Sequence, residues 1–269
     1  MFDFHSDKKN YFDIQYRNSK ESIIPFISRY IQLNEQTRVL EIGSAEAGVL
    51  KAFTDLGCHC TGIELSQKRV ELARQLMKPE LEAGRIRFFA KNIYDIDIKK
   101  DIGFKFDLII LKDVIEHIHD QEKFIPFMTN FLNPQGMVFF GFPPWFNPFG
   151  GHQQMCDHML LAKTPYFHLL PAPMYKLILK IFGEKKEKID MFLEVKETGI
   201  SIERFERILK KNDYRVIDRI LYFIPPIYQY KFKFNLKPIK QNSYISRVPY
   251  IRDLITMSAY YLIQQTDND

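Results

Sequence analysis

Residues 38–48, RVLEIGSAEAG, join a predicted buried strand to a predicted helix through a glycine-rich turn. The spacing is that of G-x-G-x-x-G, with Gly43 and Gly48 at its ends and Ala45 in the middle position. Gly43 permits a tight turn, and the N–H groups at the start of the helix can hold an anionic group. Glu64 follows 21 residues after Gly43, at the end of the next predicted strand, where its carboxylate can accept two ribose hydroxyls. The pattern predicts a βαβ unit that binds a ribose-containing ligand.

Beyond this unit, apolar runs of strand length alternate with segments of helical periodicity. A helix is predicted over residues 11–33, with Asn18 or Ser19 able to cap its start. The first five predicted strands cover residues 38–43, 59–65, 85–90, 106–111 and 137–142. This alternation predicts an α/β fold with a doubly wound, mostly parallel sheet, whose ligand lies at the carboxyl ends of the strands.

Composition and periodicity change at three points along the chain. They divide it into an N-terminal helical segment (1–36), a ligand-binding core (37–142), an insert that could act as a lid over an acceptor (143–200) and a C-terminal part of the core (201–269). A hairpin-like arm is predicted at about 225–255, because aromatic residues alternate there with lysines. The residues of this alternation are Tyr228, Tyr230, Lys231, Phe232, Lys233 and Phe234.

The composition excludes several classes of protein. Hydrophobic residues make up 46% and charged residues 26% of the 269 residues, which is typical of a globular chain and not of a disordered or fibrous one. Three cysteines at irregular spacing, Cys58, Cys60 and Cys156, predict no disulfide framework and favour a reducing, cytoplasmic location. The opening residues MFDFHSDKKN predict no signal peptide, and no stretch predicts a membrane span.

Two further segments complete a family pattern. In the first strand an acidic residue, Glu41, stands two positions before Gly43; residues 106–118 read FDLIILKDVIEHI, and residues 132–139 read LNPQGMVF. With these ordered motifs the chain resembles the class I S-adenosylmethionine-dependent methyltransferases, in a small-molecule type. The resemblance implies a seven-stranded, Rossmann-like sheet whose last strand, here residues 258–264, runs antiparallel beside residues 214–223. It also implies S-adenosylmethionine as the cofactor and S-adenosylhomocysteine as its product.

The resemblance assigns one group of residues to the methionine end of the cofactor. Glu41 would lie near the amino group, and Gly43 and Ser44 would supply backbone near the carboxylate or the ribose. Lys112 would offer backbone beside the methionyl moiety. Ala45 departs from the family's glycine and is expected to narrow the loop.

A second group is assigned to the adenosine end. By the resemblance, Glu64 would hold the ribose hydroxyls and Leu65 would pack on adenine. Asn92 stands where the family often has an aspartate beside the adenine amine, and Ile93 follows it. Asn92 keeps a hydrogen-bonding side chain without the charge.

Three residues are candidates for acid–base chemistry, because a hydroxyl acceptor must lose a proton when it is methylated. Asp113 and His117 are expected one helical turn apart on one face of a short helix. His152 follows two glycines in a loop beyond the fifth strand, where it is expected to approach the site. The alternatives are that Asp113 caps its helix and that His117 is a packing residue.

No metal site is predicted. His152, Cys156 and His158 carry ligand atoms that suit zinc, but a fourth ligand is not apparent. Cys58 and Cys60 fall at a presumed buried strand, where cysteines act as packing residues.

These observations predict methyl transfer from S-adenosylmethionine to a small-molecule or lipid-like acceptor. An RNA or protein methyltransferase is an alternative, because residues 174–255 hold 18 basic and 10 acidic residues and many aromatics. Methylation of a flipped base is disfavoured, because residues 111–114 read LKDV rather than an NPPY-type tetrad. A different class is a non-catalytic cofactor-binding or interaction module with the same fold. A nicotinamide oxidoreductase would need a hydride-transfer constellation that the sequence does not offer.

Overall fold

The computed structural model describes residues 7–232 and 236–266, and these form one mixed sheet flanked by helices. The strands follow the order β3-β2-β1-β4-β5-β8-β6-β7 across the sheet. Their bounds are β1 Arg38–Ile42, β2 His59–Glu64, β3 Ile86–Ala90, β4 Phe106–Lys112, β5 Leu132–Phe142, β6 Tyr214–Ile224, β7 Ile239–Lys240 and β8 Ser258–Gln265.

The parallel half of the sheet confirms the doubly wound α/β prediction. Strands β1 to β5 pair in parallel, and β8 lies antiparallel between β5 and β6, as the resemblance implied. The count of seven strands is corrected to eight, because the two-residue strand β7 pairs with the edge of β6 at Tyr222 and Ile224.

Twelve α-helical segments accompany the strands in the described residues. They are α1 Lys8–Asn18, α2 Ile24–Ile27, α3 Gly48–Thr54, α4 Gln67–Leu76, α5 Lys78–Glu82, α6 Gln121–Phe127, α7 Met159–Lys163, α8 Ala172–Ile181, α9 Lys186–Thr198, α10 Ile202–Lys211, α11 Tyr228–Lys231 and α12 Ile251–Leu254. Throughout the described ranges, every helix is too short or too polar to cross a bilayer.

The central strands are buried on both faces, which explains their continuous apolar sequence. Successive residues of a strand point to opposite faces, so Val39 and Phe139 join one apolar cluster while Leu40 and Phe140 join the other. The same geometry brings the carboxyl ends of the parallel strands to one edge of the sheet.

The N-terminal helical segment differs from the prediction at its start. Helix α1 begins after Asp7, whose side chain accepts the Asn10 N–H, and a π-helical turn continues it into α2. Asn18 and Ser19 lie inside this segment and cap nothing, so the predicted cap is wrong. The Asn18 amide instead donates to the Tyr260 hydroxyl, and the Ser19 hydroxyl donates to the Val49 carbonyl.

The predicted arm is only partly a hairpin. Strand β7 pairs antiparallel with β6, but Tyr228–Lys231 is a helical turn and not a strand. The Tyr228 and Phe232 rings are in contact, with centroids 4.9 Å apart, a contact typical of residues four apart on a helix. Aromatic residues that alternate along the chain, as in a strand, also recur every four residues, as on one face of a helix. Lys233 and Phe234 of the predicted alternation, like the opening residues 1–6, lie outside the described residues.

Residues 143–200 form three helices around a small apolar cluster of their own. The cluster consists of Cys156, Leu161, Phe167, Tyr175, Leu179, Ile189 and Phe192. This segment connects the end of β5 to helix α10, whose first turn is capped by the Ser201 side chain.

Candidate active site

The glycine-rich turn after β1 forms the floor of the candidate site. Gly43 has a φ of +73°, and its N–H donates to the Ile63 carbonyl of β2. A β-carbon at this position would lie 2.6 Å from Cγ2 of Val114. Ala45 and Ala47 also adopt positive φ angles, +46° and +69°. Ala45 therefore keeps the left-handed conformation that glycine adopts at lower cost.

Glu64 ties this turn to the end of β2. One of its carboxylate oxygens accepts the Ala45 N–H at 3.0 Å, and the other accepts the Ser66 N–H at 2.9 Å. A carboxylate oxygen has two lone pairs, so each can still accept a hydroxyl. This geometry leaves Glu64 suited to a pair of ribose hydroxyls.

Glu41 and Ser44 carry buried polar atoms that find no hydrogen-bond partner among the described residues. These atoms are Oε2 of Glu41 and the Ser44 hydroxyl, in residues only 3% exposed. Burial, and then the Glu64 carboxylate, raise the pKa of Glu41 well above its usual range. A cationic group bound beside Glu41 would satisfy this carboxyl and restore its charge. The buried, unpartnered polar atoms of Glu41 and Ser44 fit the amino acid end of S-adenosylmethionine.

The residues expected at adenine lie at the ends of β2 and β3. Leu65 exposes 73% of its surface beside Glu64, where a planar ring could cover it. Asn92 is exposed, and its side-chain oxygen accepts the Tyr94 N–H, so its amide nitrogen is the group available to a ligand. Ile93 is buried and supports this turn from below.

At the end of β4 the buried Lys112 pairs with the half-buried Asp113, and the expected helix is not formed. Asp113 has a φ of +56° and forms a salt bridge with Lys112, so only residues Ile115–His117 make a single 3-10 turn. The expectation that Asp113 and His117 share one face of a helix is therefore wrong. Burial alone would raise the pKa of Asp113, but Lys112 and Lys231 outweigh it and lower the pKa. An ionised carboxylate held by lysines is a weak proton acceptor.

His117 and His152 come together at the mouth of the site. Their rings meet edge to face with centroids 5.1 Å apart, although 35 residues separate them in sequence. His117 exposes part of its ring to solvent, and the desolvation by the protein atoms packed around it lowers its pKa, which favours the neutral imidazole. The structure thus joins two of the three predicted acid–base candidates.

Glu116 is a site residue that the sequence analysis missed. It is 2% exposed, and neither carboxylate oxygen has a hydrogen-bond partner in the described part of the chain. Burial, and then the Asp113 charge, raise the pKa of Glu116 to about 8. Its position directly before His117, shortly after the strand that leads into the site, was the available signal.

Ligand atoms of Glu116, His117 and His152 lie within 4.8 Å of one another, close enough to share one divalent cation. Cys156 and His158, which were weighed as partners of His152, lie elsewhere. His158 caps α7 through Leu160, and Cys156 is buried near Glu184, with burial raising the pKa of its thiol to about 12. All three cysteines are free and buried.

The insert is fixed to this site by hydrogen bonds at its far end. The Thr198 hydroxyl donates to the Glu116 carbonyl at 2.6 Å, and the Thr198 carbonyl accepts the Gln121 amide at 2.5 Å. Within the insert, His168 Nε2 donates to the Trp145 carbonyl at 2.8 Å. Residues 143–200 are therefore anchored on the segment that carries His117.

Curated relatives match part of the chain. The chain is 31% identical over 106 residues to the ubiquinone biosynthesis O-methyltransferase of Chelativorans sp. (strain BNC1), covering 39% of this chain and 40% of the relative. Its counterpart in Pasteurella multocida (strain Pm70) is 27% identical over 111 residues, covering 38% of this chain and 45% of the relative. The chain thus spans less than half the length of these curated relatives.

Solved structures share the fold at low sequence identity. A putative sarcosine dimethylglycine methyltransferase from Galdieria sulphuraria aligns with a TM-score of 0.60 at 11% identity, over 93% of this chain and 86% of the other. A geranyl diphosphate methyltransferase in complex with S-adenosylmethionine aligns with a TM-score of 0.55 at 12% identity, over 91% and 85%.

The family itself is identified from the sequence. A family model described as a methyltransferase domain matches residues 13–169, more than half of the chain. The matched range includes Glu41, the Gly43 turn, Glu64 and the His117–His152 pair. The chain therefore belongs to the methyltransferase-domain family, in the class I group that uses S-adenosylmethionine.

Proposed function

We propose that this protein transfers the methyl group of S-adenosylmethionine to a hydroxyl oxygen of a small-molecule or lipid-like acceptor. The observation that carries the proposal is the position of His117 and His152 at the same sheet edge as Glu41, Gly43 and Glu64. The names of the O-methyltransferase relatives support oxygen as the methylated atom.

In the proposal, two acidic residues bind the cofactor and one histidine accepts a proton. S-adenosylmethionine supplies an electrophilic methyl group on a sulfonium sulfur. In the proposal, Glu41 receives the ammonium group of the cofactor and Glu64 receives its ribose hydroxyls. His117 accepts the proton that the acceptor hydroxyl loses as its oxygen bonds to carbon. The nearby Asp113 carboxylate favours the resulting imidazolium, and His152 packs against its ring.

Much of the rate would come from positioning and the exclusion of water. The insert supports both roles, because its C-terminal end is hydrogen-bonded to the segment that carries His117. We retain the four-part division of the chain (1–36, 37–142, 143–200 and 201–269) as a proposal, supported by the separate apolar cluster of the insert. A cytoplasmic location also remains proposed and is supported by the three free cysteines.

The base role is tested with His117→Asn against His119→Asn, an exposed histidine two residues further on. Release of S-adenosylhomocysteine is measured with a panel of alkyl-substituted phenols. We expect His117→Asn to lower kcat about 10²-fold or more with little change in cofactor affinity, and His119→Asn to leave both unchanged. Equal loss in the two variants would contradict the base role.

A second arm separates base from metal chemistry. The wild type is assayed after treatment with EDTA and again after Mg²⁺ is restored. Activity that survives chelation supports proton transfer to His117. Activity that disappears and returns with Mg²⁺ would instead assign Glu116, His117 and His152 to a bound cation.

A further inference from the structure

Helix α8 of the insert has two apolar faces, of which only one is covered. Tyr175 and Leu179 are fully buried in the insert's cluster. Met174, Leu177 and Ile181 lie on the other side of the helix and expose 52%, 57% and 70% of their surfaces. Their spacing of three and four residues places them in one stripe along the helix. A stripe of large apolar side chains facing solvent indicates an interaction surface.

Helix α7 extends this surface. Met159 and Leu160 expose 64% and 60% of their surfaces, while the next residue, Leu161, is buried in the cluster shared with α8. The His158 ring, directly before α7, packs edge to face on Phe182, directly after α8, with centroids 4.7 Å apart. The start of α7 and the end of α8 are therefore neighbours. We call Met159, Leu160, Met174, Leu177 and Ile181 the apolar face.

The charged side chains of the segment that carries the apolar face are all lysines, and Asp190 of the neighbouring helix α9 lies near one of them, Lys176. Residues 158–183 contain three lysines and no aspartate or glutamate. Lys163 lies at the end of α7, and Lys176 and Lys180 lie on α8 directly before Leu177 and Ile181. All three lysines are exposed. Within the described ranges, none of these lysines is in a salt bridge. If the helix lies on an apolar surface, the flexible methylene chains of these lysines allow their ammonium groups to stay in water.

We propose that the apolar face docks on the surface of a bilayer that contains anionic lipids. Amphipathic helices with large apolar residues on one side and lysines beside them lie in the interface, with the apolar side chains at the boundary of headgroups and acyl chains. Each lysine near an anionic surface adds electrostatic attraction to it. Protein interfaces are depleted of lysine, so three lysines outside any salt bridge of the described residues favour a lipid occupant over a protein partner.

Docking would place the acceptor side of the site near the membrane. The face belongs to the insert that Thr198 anchors on the Glu116 carbonyl, beside His117. A lipid-dissolved acceptor could then enter without crossing water. Only this consequence rests on the proposed methyl transfer; the docking itself is independent of it.

The test is co-sedimentation of the full chain with vesicles. One set is phosphatidylcholine alone, and the other is an equal mixture of phosphatidylcholine and phosphatidylglycerol. We expect binding to the mixed vesicles that is at least tenfold stronger than to the neutral ones and that falls at high salt. We expect L177Q combined with I181Q, and separately K176Q combined with K180Q, to lose at least tenfold in affinity.

The matched control is L56Q combined with V216Q, which changes two exposed apolar residues on other elements. It should bind mixed vesicles as the wild type does. Absence of wild-type binding, or equal binding by the L177Q and I181Q variant, would overturn the proposal. So would self-association of the wild type that the same variant abolishes, because the occupant would then be a second copy of the chain.

Cofactor affinity and turnover of water-soluble phenols are measured on every variant without vesicles. Variants of the apolar face and its lysines that keep the wild-type cofactor affinity and turnover are folded. Any loss of vesicle binding in them is therefore a loss of docking. A failure of methyl transfer in the wild type would contradict the proposed function and leave the vesicle result standing.

Discussion

Gly43 is the residue at which backbone conformation and site shape depend on each other most closely. Its positive φ turns the chain from β1 toward α3, and its missing side chain leaves room for Val114. The neighbouring Ala45 adopts a positive φ with a β-carbon, so the turn already stores strain of about 1 kcal/mol there. The turn therefore has little tolerance for a second residue that carries a β-carbon at a positive φ.

We expect Gly43→Ala to destabilise the fold by about 2–4 kcal/mol, from backbone strain together with the contact of the new methyl group with Val114. Gly84 is a matched control: it has a φ of +68°, and a β-carbon added there would meet no atom of the described residues within 4 Å. Gly84→Ala should cost only the strain, about 1 kcal/mol. Urea unfolding measures both, and equal losses would contradict the close approach of Val114.

At the scale of the element, the insert depends on one buried histidine. His168 is fully buried between the Trp145 carbonyl, which accepts from Nε2, and the Gln153 amide, which lies 3.2 Å from Nδ1. The Gln153 amide nitrogen is a hydrogen-bond donor, so it cannot accept a second ring proton placed on Nδ1 of His168. Burial lowers the pKa of His168 to about 4.

This pKa predicts how stability changes with pH. The unfolded chain binds a proton at His168 near pH 6.5 and the folded chain only near pH 4, so the stability is complete above pH 6.5 and is lost as the pH falls toward 4. The loss attributable to His168 is on the order of 3 kcal/mol at most. Unfolding free energies between pH 4 and 8 should show a shallower acid loss in His168→Gln. A variant curve parallel to that of the wild type would contradict the assignment, and exposed His59→Gln serves as the control.

At the scale of the whole molecule, residues far apart in sequence converge around the insert. The Asp253 carboxylate of α12 accepts the Phe146 N–H at the start of the insert and the Ile202 N–H at the start of α10. One side chain thus joins the start of the insert to the start of α10, the helix that follows it.

The features that could be predicted from the sequence are those that local hydrophobic periodicity determines. Continuous apolar strands and the Gly43 turn were sufficient for the parallel strands through β5, and the resemblance supplied the antiparallel β8. The association of His117 with His152 and the contact of Thr198 with the Glu116 carbonyl are tertiary contacts across 35 or more residues, which no local pattern contains. The Asp113 geometry depends on the hydrogen bond of its N–H to the Gly141 carbonyl of the neighbouring strand. The arm was mispredicted because Tyr228 and Phe232 fit both a strand and a helix.

The central claim is that the Glu41, Gly43 and Glu64 edge holds S-adenosylmethionine. Calorimetric titration of the wild type, Glu64→Ala and the exposed control Glu71→Ala with S-adenosylmethionine, S-adenosylhomocysteine and NAD tests it most directly. We predict micromolar binding of both sulfur nucleosides and no binding of NAD. Glu64→Ala should weaken the binding at least tenfold, about 1.4 kcal/mol, and Glu71→Ala should not. Binding of NAD alone, or an unchanged affinity in Glu64→Ala, would contradict the account.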